Sequence, residues 1–349
     1  IGFAFVMKET RCQHHFVALC ATSVRKAALL AIPLTILLSF AINSVLQSAA
    51  NTSAAAGVVF IPLLIAAGIR PALAGTAVLA GTFGSLLNPE LAINTFVARI
   101  TGVEVAEVIA GHLIPVLVNI ILSMACLTII SVVRKEYALP PETPEEKPEK
   151  INLFYAFIPV LPLAILVFGS SNLVPQLRMG IAQAMIVGAL VGMIATRVSP
   201  AALTSRFFDG MGSAYANIMG IVIAAAVFVQ GMKSMGLMSS FMYWLTTTPS
   251  LAKFGGAFGP FFIAVLTGSG DAAAFTFNET VSAHAAEYGM EATKMASMAA
   301  IAGALGRTMS PIAGAAIVCA AIAKVNPVEL TKRNALGMCV GAVVTYLII

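Results

Sequence analysis

The sequence carries one skeleton twice, G-x-x-G-x-x-x-x-P, each time inside a long apolar stretch. It stands at Gly81-Thr82-Phe83-Gly84-Ser85-Leu86-Leu87-Asn88-Pro89 and again at Gly303-Ala304-Leu305-Gly306-Arg307-Thr308-Met309-Ser310-Pro311, with all three fixed residues offset by 222 positions. Proline inside an apolar helix removes a backbone donor, clashes with the preceding turn and drives the residue before it into extended geometry. Two such stretches at one offset predict two interrupted membrane helices, one in each half of an internally repeated chain.

Composition agrees. Of 349 residues, 59% are hydrophobic and only 10% charged, against about 25% charged in a soluble domain, and mean hydropathy is +0.94. Residues Ala27 to Ile69 and Phe254 to Gly270 contain no charge at all. The fold class expected is therefore an all-α polytopic membrane protein in contact with a lipid bilayer. The net charge of +5 comes from basic residues spread between apolar segments, not clustered on a face, which excludes nucleic acid as a partner. The five cysteines, Cys12, Cys20, Cys126, Cys319 and Cys339, are scattered without metal or redox spacing and read as small apolar packing residues. No metal and no cofactor is expected. The chain opens Ile1-Gly2-Phe3 and closes Tyr346-Leu347-Ile348-Ile349, which predicts a fragment cut within a helix at each end.

Taken in order, Ile1 to Val6 reads as a helix end and Lys8 to Lys26 as a basic interfacial segment, with His14 and His15 on its solvated side. A re-entrant hairpin is expected next, its tip at the polar run Gln47-Ser48-Ala49-Ala50-Asn51-Thr52-Ser53 and its return arm, Ala54 to Ala67, too short to span. Pro71 to Ile100 crosses with a break at Gly84–Pro89, and Glu104 to Val133 crosses back. Residues 134–151 form a hydrophilic linker holding Pro140, Pro141, Pro144 and Pro148. Helices are expected at Asn152–Ser170, Met179–Thr196 and about Gly212–Gln230. An interfacial segment then holds Tyr243 and Trp244. A second hairpin, Gly255 to Tyr288, has its tip at Thr267-Gly268-Ser269-Gly270-Asp271. The second broken helix is Ala292 to Lys324, and a last helix begins near Arg333. The domain division that follows is a first repeat at 1–133, the linker at 134–151 and a second repeat at 152–349.

Further matches sit at or near the same offset. Val103-Glu104-Val105-Ala106-Glu107 answers Val325-Asn326-Pro327-Val328-Glu329, and Met7-Lys8 answers Met232-Lys233. Counting crossings from Lys8 to Lys233 gives an odd number, so the two repeats are expected to be inverted. That topology leaves fourteen of the twenty basic residues on the cytoplasmic side, five outside (Arg99, Arg178, Lys233, Lys253 and Lys294) and Arg307 within the membrane, as the positive-inside rule requires.

Broken helices and hairpins in inverted repeats bring half-helix termini to the bilayer midplane, where N–H groups face anions and unwound carbonyls hold cations. Four polar elements should converge there: Ser48 with Asn51, Thr52 and Ser53; Ser85 with Asn88; Ser269 with Asp271; and Arg307 with Thr308 and Ser310. A buried guanidinium costs several kcal/mol, on the order of a buried ion's penalty, unless it is paired. Arg307 therefore has two readings, a fork gripping a substrate carboxylate or one half of a permanent ion pair with Asp271. Asp271, one of two aspartates in the chain, reads as a proton or cation site, as a transient partner of Arg307, or as a cap on the descending arm. Glu279 on that arm is a candidate proton relay, so Asp271 and Glu279 are the coupling-ion candidates. His284 and Glu287 read as solvated interfacial charge, Glu90 as a dipole-stabilised residue of a half-helix first turn, and His112 as a packing residue.

An enzyme reading competes. Gly268-Ser269-Gly270-Asp271 fits G-x-G-D, the pattern of presenilin-like intramembrane aspartyl proteases, but the only other aspartate, Asp209, follows Phe208 near a cytoplasmic helix end and the repeat is left unexplained. No Walker or dinucleotide pattern supports an ATP-driven pump.

The second-half residues Thr267-Gly268-Ser269-Gly270, Leu305 through Gly314 and Ala323 through Glu329 resemble the anaerobic four-carbon dicarboxylate transporter family, Dcu type C, of the ion transporter superfamily. The resemblance spans essentially the whole chain, with the family's N-terminal helices missing. It implies a secondary active carrier of succinate-, fumarate- or malate-like dianions in a bacterial inner membrane, working by exchange or with protons, and a homodimer whose hairpins and broken helices move. Family members often carry an amide where this chain has Asp271. A monocarboxylate or amino-acid carrier and a cation/proton antiporter of the same superfamily stand as alternatives.

Overall fold

The computed structural model describes residues 2–16, 19, 27–89, 91–137, 151–170, 174–177, 179–215, 223, 227, 230–231, 234–237, 240, 252–282, 285–286 and 289–349. The expectations for Glu90, Arg178, Lys233, Tyr243, Trp244, His284 and Glu287, for most of the helix 212–230 and for linker residues 138–150 lie outside these. Among the described residues the chain is wholly helical, with no strand. Three stretches, Ala49–Ala66, Val105–Val133 and Ala292–Ala323, are long and apolar enough to cross a membrane.

The helices run α1 Gly2–Glu9, α2 Ala28–Val45, α3 Ala49–Ala66, α4 Pro71–Ala80, α5 Ala92–Thr101, α6 Val105–Val133, α7 Leu153–Phe157, α8 Leu161–Ser170, α9 Ile181–Thr196, α10 Pro200–Ala214, α11 Ala252–Thr267, α12 Gly270–Thr280, α13 Ala292–Met309, α14 Gly314–Ala323 and α15 Pro327–Ile348. Short 3-10 turns sit at Gly84–Leu87, Ile158–Val160 and Pro175–Leu177. Proline occupies the first turn of α4, α10 and α15, where its missing N–H costs nothing.

Both proline signals mark real breaks. Asn88 before Pro89 has φ −91 and ψ 124; Ser310 before Pro311 has φ −83 and ψ 125. Beyond the prolines, Leu91 (φ −64, ψ 129) starts α5 and Ala313 (φ −67, ψ 136) starts α14, each 10 residues long. Gly102 and Lys324 then close them in the left-handed region, at φ 74 and 57. From Asn88 to the start of α6 and from Ser310 to the start of α15, the backbone changes direction at positions that stay 222 apart.

The glycines of the skeleton serve packing. A Cβ on Gly84 would strike the carbonyl oxygen of Phe40 in α2, and one on Gly306 would strike that of Phe261 in α11. Each broken helix thus meets the ascending arm of its hairpin backbone to backbone, the close approach small residues permit between membrane helices. In the second half α13 passes unbroken through both Gly303 and Gly306 and stops only at Met309. In the first half α4 already ends at Ala80, a 3-10 turn holds Gly84–Leu87 and α5 starts only at Ala92, so that break opens three residues earlier than expected.

Two other expectations shift. The polar run does not interrupt the first hairpin's return arm: Ser48 caps α3 by accepting the N–H of Asn51 at 3.4 Å, and Asn51, Thr52 and Ser53 are folded into its first turn. The arm is therefore 18 residues long and apolar enough to span. The last helix starts at Pro327, capped by Asn326, not near Arg333. The linker's first residues are also docked: Glu136 is buried, with Oε1 and Oε2 at 2.6 and 2.7 Å from the Arg333 guanidinium and Arg70 at 3.4 Å.

Packing follows the same pairing. α3 packs on α4 and α14, while α12 packs on α13 and α5; α2 packs on α4 and α6, while α11 packs on α13 and α15; α4 meets α14 and α15, while α13 meets α5 and α6. α6 and α15 lie against each other. The largest apolar core, which includes Phe40, Phe83, Leu86, Ile301 and Leu305, fills the space between these two sets. α1, α9 and α10 form a separate cluster around Phe3, Val6, Met7, Ala189 and Leu203.

Candidate functional site

The hairpin tips and the breaks meet. Ala50 in the first turn of α3 faces Gly314 at the start of α14, where a Cβ would sit 3.6 Å from Ala50's own. Gly268, at φ 72 in the second tip, lies against Ile312 and Ala313, with a Cβ placed 3.0 Å from both. Arg307 of the second break reaches into the first and donates from Nη2 to the Thr82 carbonyl at 2.6 Å. Asn88 of the first break donates from Nδ2 to Ser44 O at 2.8 Å, and the Ser85 N–H to Asn43 Oδ1 at 2.9 Å. The first tip and the two breaks thus close into a ring, with the second tip seated against the second break.

Carbonyls freed by an interrupted helix need partners where water is scarce. At the first break side chains supply them. Asn94 Nδ2 donates to Leu86 O and Asn88 O, both at 2.9 Å, and His112 Nε2 lies 2.7 Å from Leu86 O. Asn43 Nδ2 donates to Leu46 O at 3.0 Å and to Thr52 Oγ1 at 3.1 Å. At the second break Asn334 of α15 donates to Thr308 O at 3.0 Å, and the Thr308 hydroxyl to Leu305 O. Asn43, Asn94 and Asn334 were not among the expected site residues. All three are buried; Asn43 and Asn94 were visible as amides in largely apolar stretches, whereas Asn334 follows Thr331, Lys332 and Arg333 and carried no such signal.

The expected residues divide by what their polar atoms already do. Thr52 Oγ1 donates to Leu46 O at 3.2 Å, and Thr308 Oγ1 donates to Leu305 O at 2.8 Å and lies 2.7 Å from Met338 Sδ. Both hydroxyls are committed to the scaffold. Ser48 and Ser269 cap α3 and α12, each accepting an N–H of the first turn. Asn51 is exposed at the first tip. Ser310 Oγ is buried with no partner among the described residues, and Ser53, also buried, lies in hydrogen-bond reach of the Cys319 thiol. Asp271 is exposed in the first turn of α12, whose cap is Ser269. It acts on Arg307 through its field, and no ion pair joins the two among the described residues, so the permanent-pair reading of Arg307 is not what the structure contains. One of the five guanidinium N–H groups is used on Thr82, and the others have no partner among the described residues. Glu279 is exposed at the other end of α12, eight residues or about 12 Å of rise from Asp271, and is not drawn into the ring. Among the described residues no three His, Cys, Asp or Glu side chains come together as a metal site.

The C4-dicarboxylate anaerobic carrier family, DcuC, matches residues 1–349. A transporter of Haemophilus influenzae is 41% identical over 267 residues, which is 72% of this chain and 96% of that one. A Vibrio cholerae relative named for anaerobic C4-dicarboxylate transport is 26% identical over 310 residues, covering 81% of this chain and 64% of its own. The anaerobic C4-dicarboxylate transporter DcuC of Escherichia coli K12 is 28% identical over 200 residues, covering 55% of this chain. The chain spans less than two thirds of each of these last two proteins, 64% and 43%. The family consists of transporters, so the aspartyl-protease reading of Asp271 falls away. An apolar, wholly helical architecture, two proline breaks joined through Arg307 and a family match along the full sequence lead to one conclusion: this chain is a membrane transport protein of the DcuC, C4-dicarboxylate carrier, family.

Proposed function

We propose that the protein is a secondary active carrier of small dicarboxylates of the succinate, fumarate or malate type, moving them across the bacterial inner membrane by exchange or with a coupled ion. The observation that carries this reading is Arg307, held between the two breaks by one bond to Thr82 O with its other donors unspent. A planar fork of donors matches a carboxylate in two bonds. Ser310 Oγ, buried without a partner among the described residues, adds a neutral donor, Ser53 stands on the first tip against the Cys319 thiol, and the tips at Ser48, Asn51 and Ser269 close the site from either side. Ser85 and Asn88 line it from the first break. Thr52 and Thr308 hold the backbone around it. Asp271, within electrostatic reach of Arg307, is the candidate coupling-ion site, and Glu279 a relay toward the surface.

The scaffold of this reading is a pair of inverted repeats, residues 1–133 and 152–349 joined by the linker 134–151, each with a re-entrant hairpin and a broken helix. The matched breaks and reciprocal packing of α2–α6 and α11–α15 support the repeat. Contacts between residues assigned to one side of the membrane support the inversion. Arg70, Glu136 and Arg333 cluster on the side assigned to the cytoplasm, as do Glu9 and Arg206, 3.0 Å apart. Lys253 and Tyr346, 5.0 Å apart, share the side assigned to the exterior. The contact of both tips with the second break supports re-entry. A homodimer, as implied by related folds, completes the proposal.

The test is counterflow. Proteoliposomes of the full-length protein, loaded with unlabelled succinate, should accumulate labelled succinate without any imposed gradient. If succinate, fumarate and malate all fail to enter under outward, proton or sodium gradients, while cations exchange for protons, the antiporter alternative replaces this reading.

A further inference from the structure

The repeat makes two interfaces equivalent, α3 against α14 and α12 against α5, and they are not packed alike. At the first, Gly57 is so close to Ile322 that an added Cβ would stand 3.0 Å from its Cδ1, and Ile317 and Cys319 are buried. At the second, Phe96 and Phe275 meet edge to face with ring centroids 5.0 Å apart. Around them lies a pocket of about 350 Å³ lined by Ala92, Thr95, Phe96, Arg99 and Phe275. The α5 residues of that pocket correspond, at the offset of 222, to Gly314, Ile317, Val318 and Ala321, all apolar. Thr95 and Arg99 are exposed where Ile317 is buried. The Arg99 guanidinium stands 5.2 Å from the Phe96 ring centroid and has no carboxylate partner among the described residues. α12 contributes two exposed acids on its own side, Asp271 at the inner end and Glu279 toward the surface, so Arg99 is the one cation lining the pocket.

We infer that the α5–α12 pocket is the external mouth of the transport path, and that Arg99 is a peripheral landing site for a small dicarboxylate dianion on its way to the breaks. The inference rests on the proposed transport reading and its inverted topology. The pocket has the size of a small-ligand site, and it opens at Ala92, immediately after the first break. An exposed guanidinium over an aromatic face raises the local concentration of a dianion without holding it tightly. The packed α3–α14 interface is then the cytoplasmic counterpart in its closed form.

Sided kinetics test this. In oriented proteoliposomes whose wild-type protein exchanges succinate, Arg99→Gln should raise KM for external succinate by up to about fivefold at low salt. KM from the cytoplasmic side and the maximal rate should be unchanged, Arg99→Lys should recover most of the loss, and 0.5 M salt should erase the difference. Thr95→Cys should react with a membrane-impermeant maleimide added outside. An unchanged external KM, an equal loss on both sides, or a Thr95→Cys that stays unlabelled because lipid or a second copy covers it would each overturn the inference. If the wild type exchanges no dicarboxylate, it is the transport reading that fails, and maleimide labelling still reports whether the mouth is open to water.

Discussion

The two breaks share a proline, a register and a glycine contact, yet they are finished differently. The first is long, from Gly81 to Leu91, and its carbonyls are taken up by Asn94, His112 and Arg307, with Asn43 holding the adjacent tip. The second is four residues, Ser310 to Ala313, and it keeps Ser310 Oγ unpaired and most of the Arg307 fork unspent. Carbonyls matched by side-chain donors hold a membrane interior together, although Asn94 Oδ1 and His112 Nδ1 have no partner among the described residues, whereas an unspent guanidinium fork costs free energy unless a ligand completes it. On the difference in their donors we propose that the first break serves architecture and the second binding.

Four sets of variants can break or sharpen that division. The largest effect is expected below both breaks, where Glu136 ties α4 and α15 together through Arg70 and Arg333. Glu136→Gln leaves the buried Arg333 with Glu329, 2.9 Å away, as its one carboxylate and should lower stability by about 3 kcal/mol, the low end for breaking a buried pair, read by chemical or thermal unfolding in detergent. Burial alone would raise the Glu136 carboxyl, but hydrogen bonds and charge from Arg333 and Arg70 outweigh it, so the folded group stands below its ordinary 4.5. A depressed carboxyl stabilises the fold above its unfolded pKa, and that stability is lost as pH falls through the folded value. Wild-type stability should therefore fall as pH drops below 4.5, by a component that Glu136→Gln lacks. A parallel slope in both proteins would show that Glu136 is not charged in the fold.

Next come the glycines. Gly84→Ala and Gly306→Ala each drive a methyl into a carbonyl of the facing arm and should cost about 1–3 kcal/mol or more. The division predicts similar losses at the two sites, because this contact is common to both breaks. A free substitution at one would show that its hairpin is not held by the glycine. Asn94→Leu should cost about 1 kcal/mol, since Leu86 O keeps only His112 and Asn88 O keeps only the Leu91 N–H, with dicarboxylate affinity unchanged in the folded fraction. The smallest stability change is expected at Ser310→Ala, which removes a hydroxyl with no partner among the described residues. It should leave unfolding within about 0.5 kcal/mol of wild type and still weaken dicarboxylate binding. Reversed behaviour of the Asn94 and Ser310 variants would exchange the roles of the two breaks.

What the sequence made legible was local. Proline made Asn88 and Ser310 readable as break points because it stood in a repeated skeleton, whereas Pro33, Pro62, Pro115 and Pro260 lie inside helices. What it hid was tertiary. The spacing of Gly303 and Gly306 cannot say whether they loosen a helix or admit a neighbour, and only the approach of Phe261 decides. Nor could a polar run such as Asn51-Thr52-Ser53 be told from a helix interruption before Asn43 and Leu46 were seen to satisfy Thr52. Glu136 looked solvated because its partners are 66 and 197 residues away. At the site, the serines and Arg307 were visible as polar residues in apolar surroundings, and the same test applied to Asn94 would have found a group that finishes the first break, whereas Asn334, next to Lys332 and Arg333, was hidden among polar neighbours.

The most direct measurement is succinate binding to Arg307→Lys, by calorimetry or by ligand-induced thermal stabilisation of the full-length protein. Lysine keeps the charge and can keep one bond to Thr82 O, but it lacks the planar fork. The account predicts a folded protein with unfolding close to wild type and an affinity for succinate lowered at least about tenfold, since losing a partner of a buried charged contact costs about 2–5 kcal/mol. An Arg307→Lys protein, or a folded Arg307→Ala protein, that binds succinate as tightly as wild type would contradict it and remove the second break from the binding site.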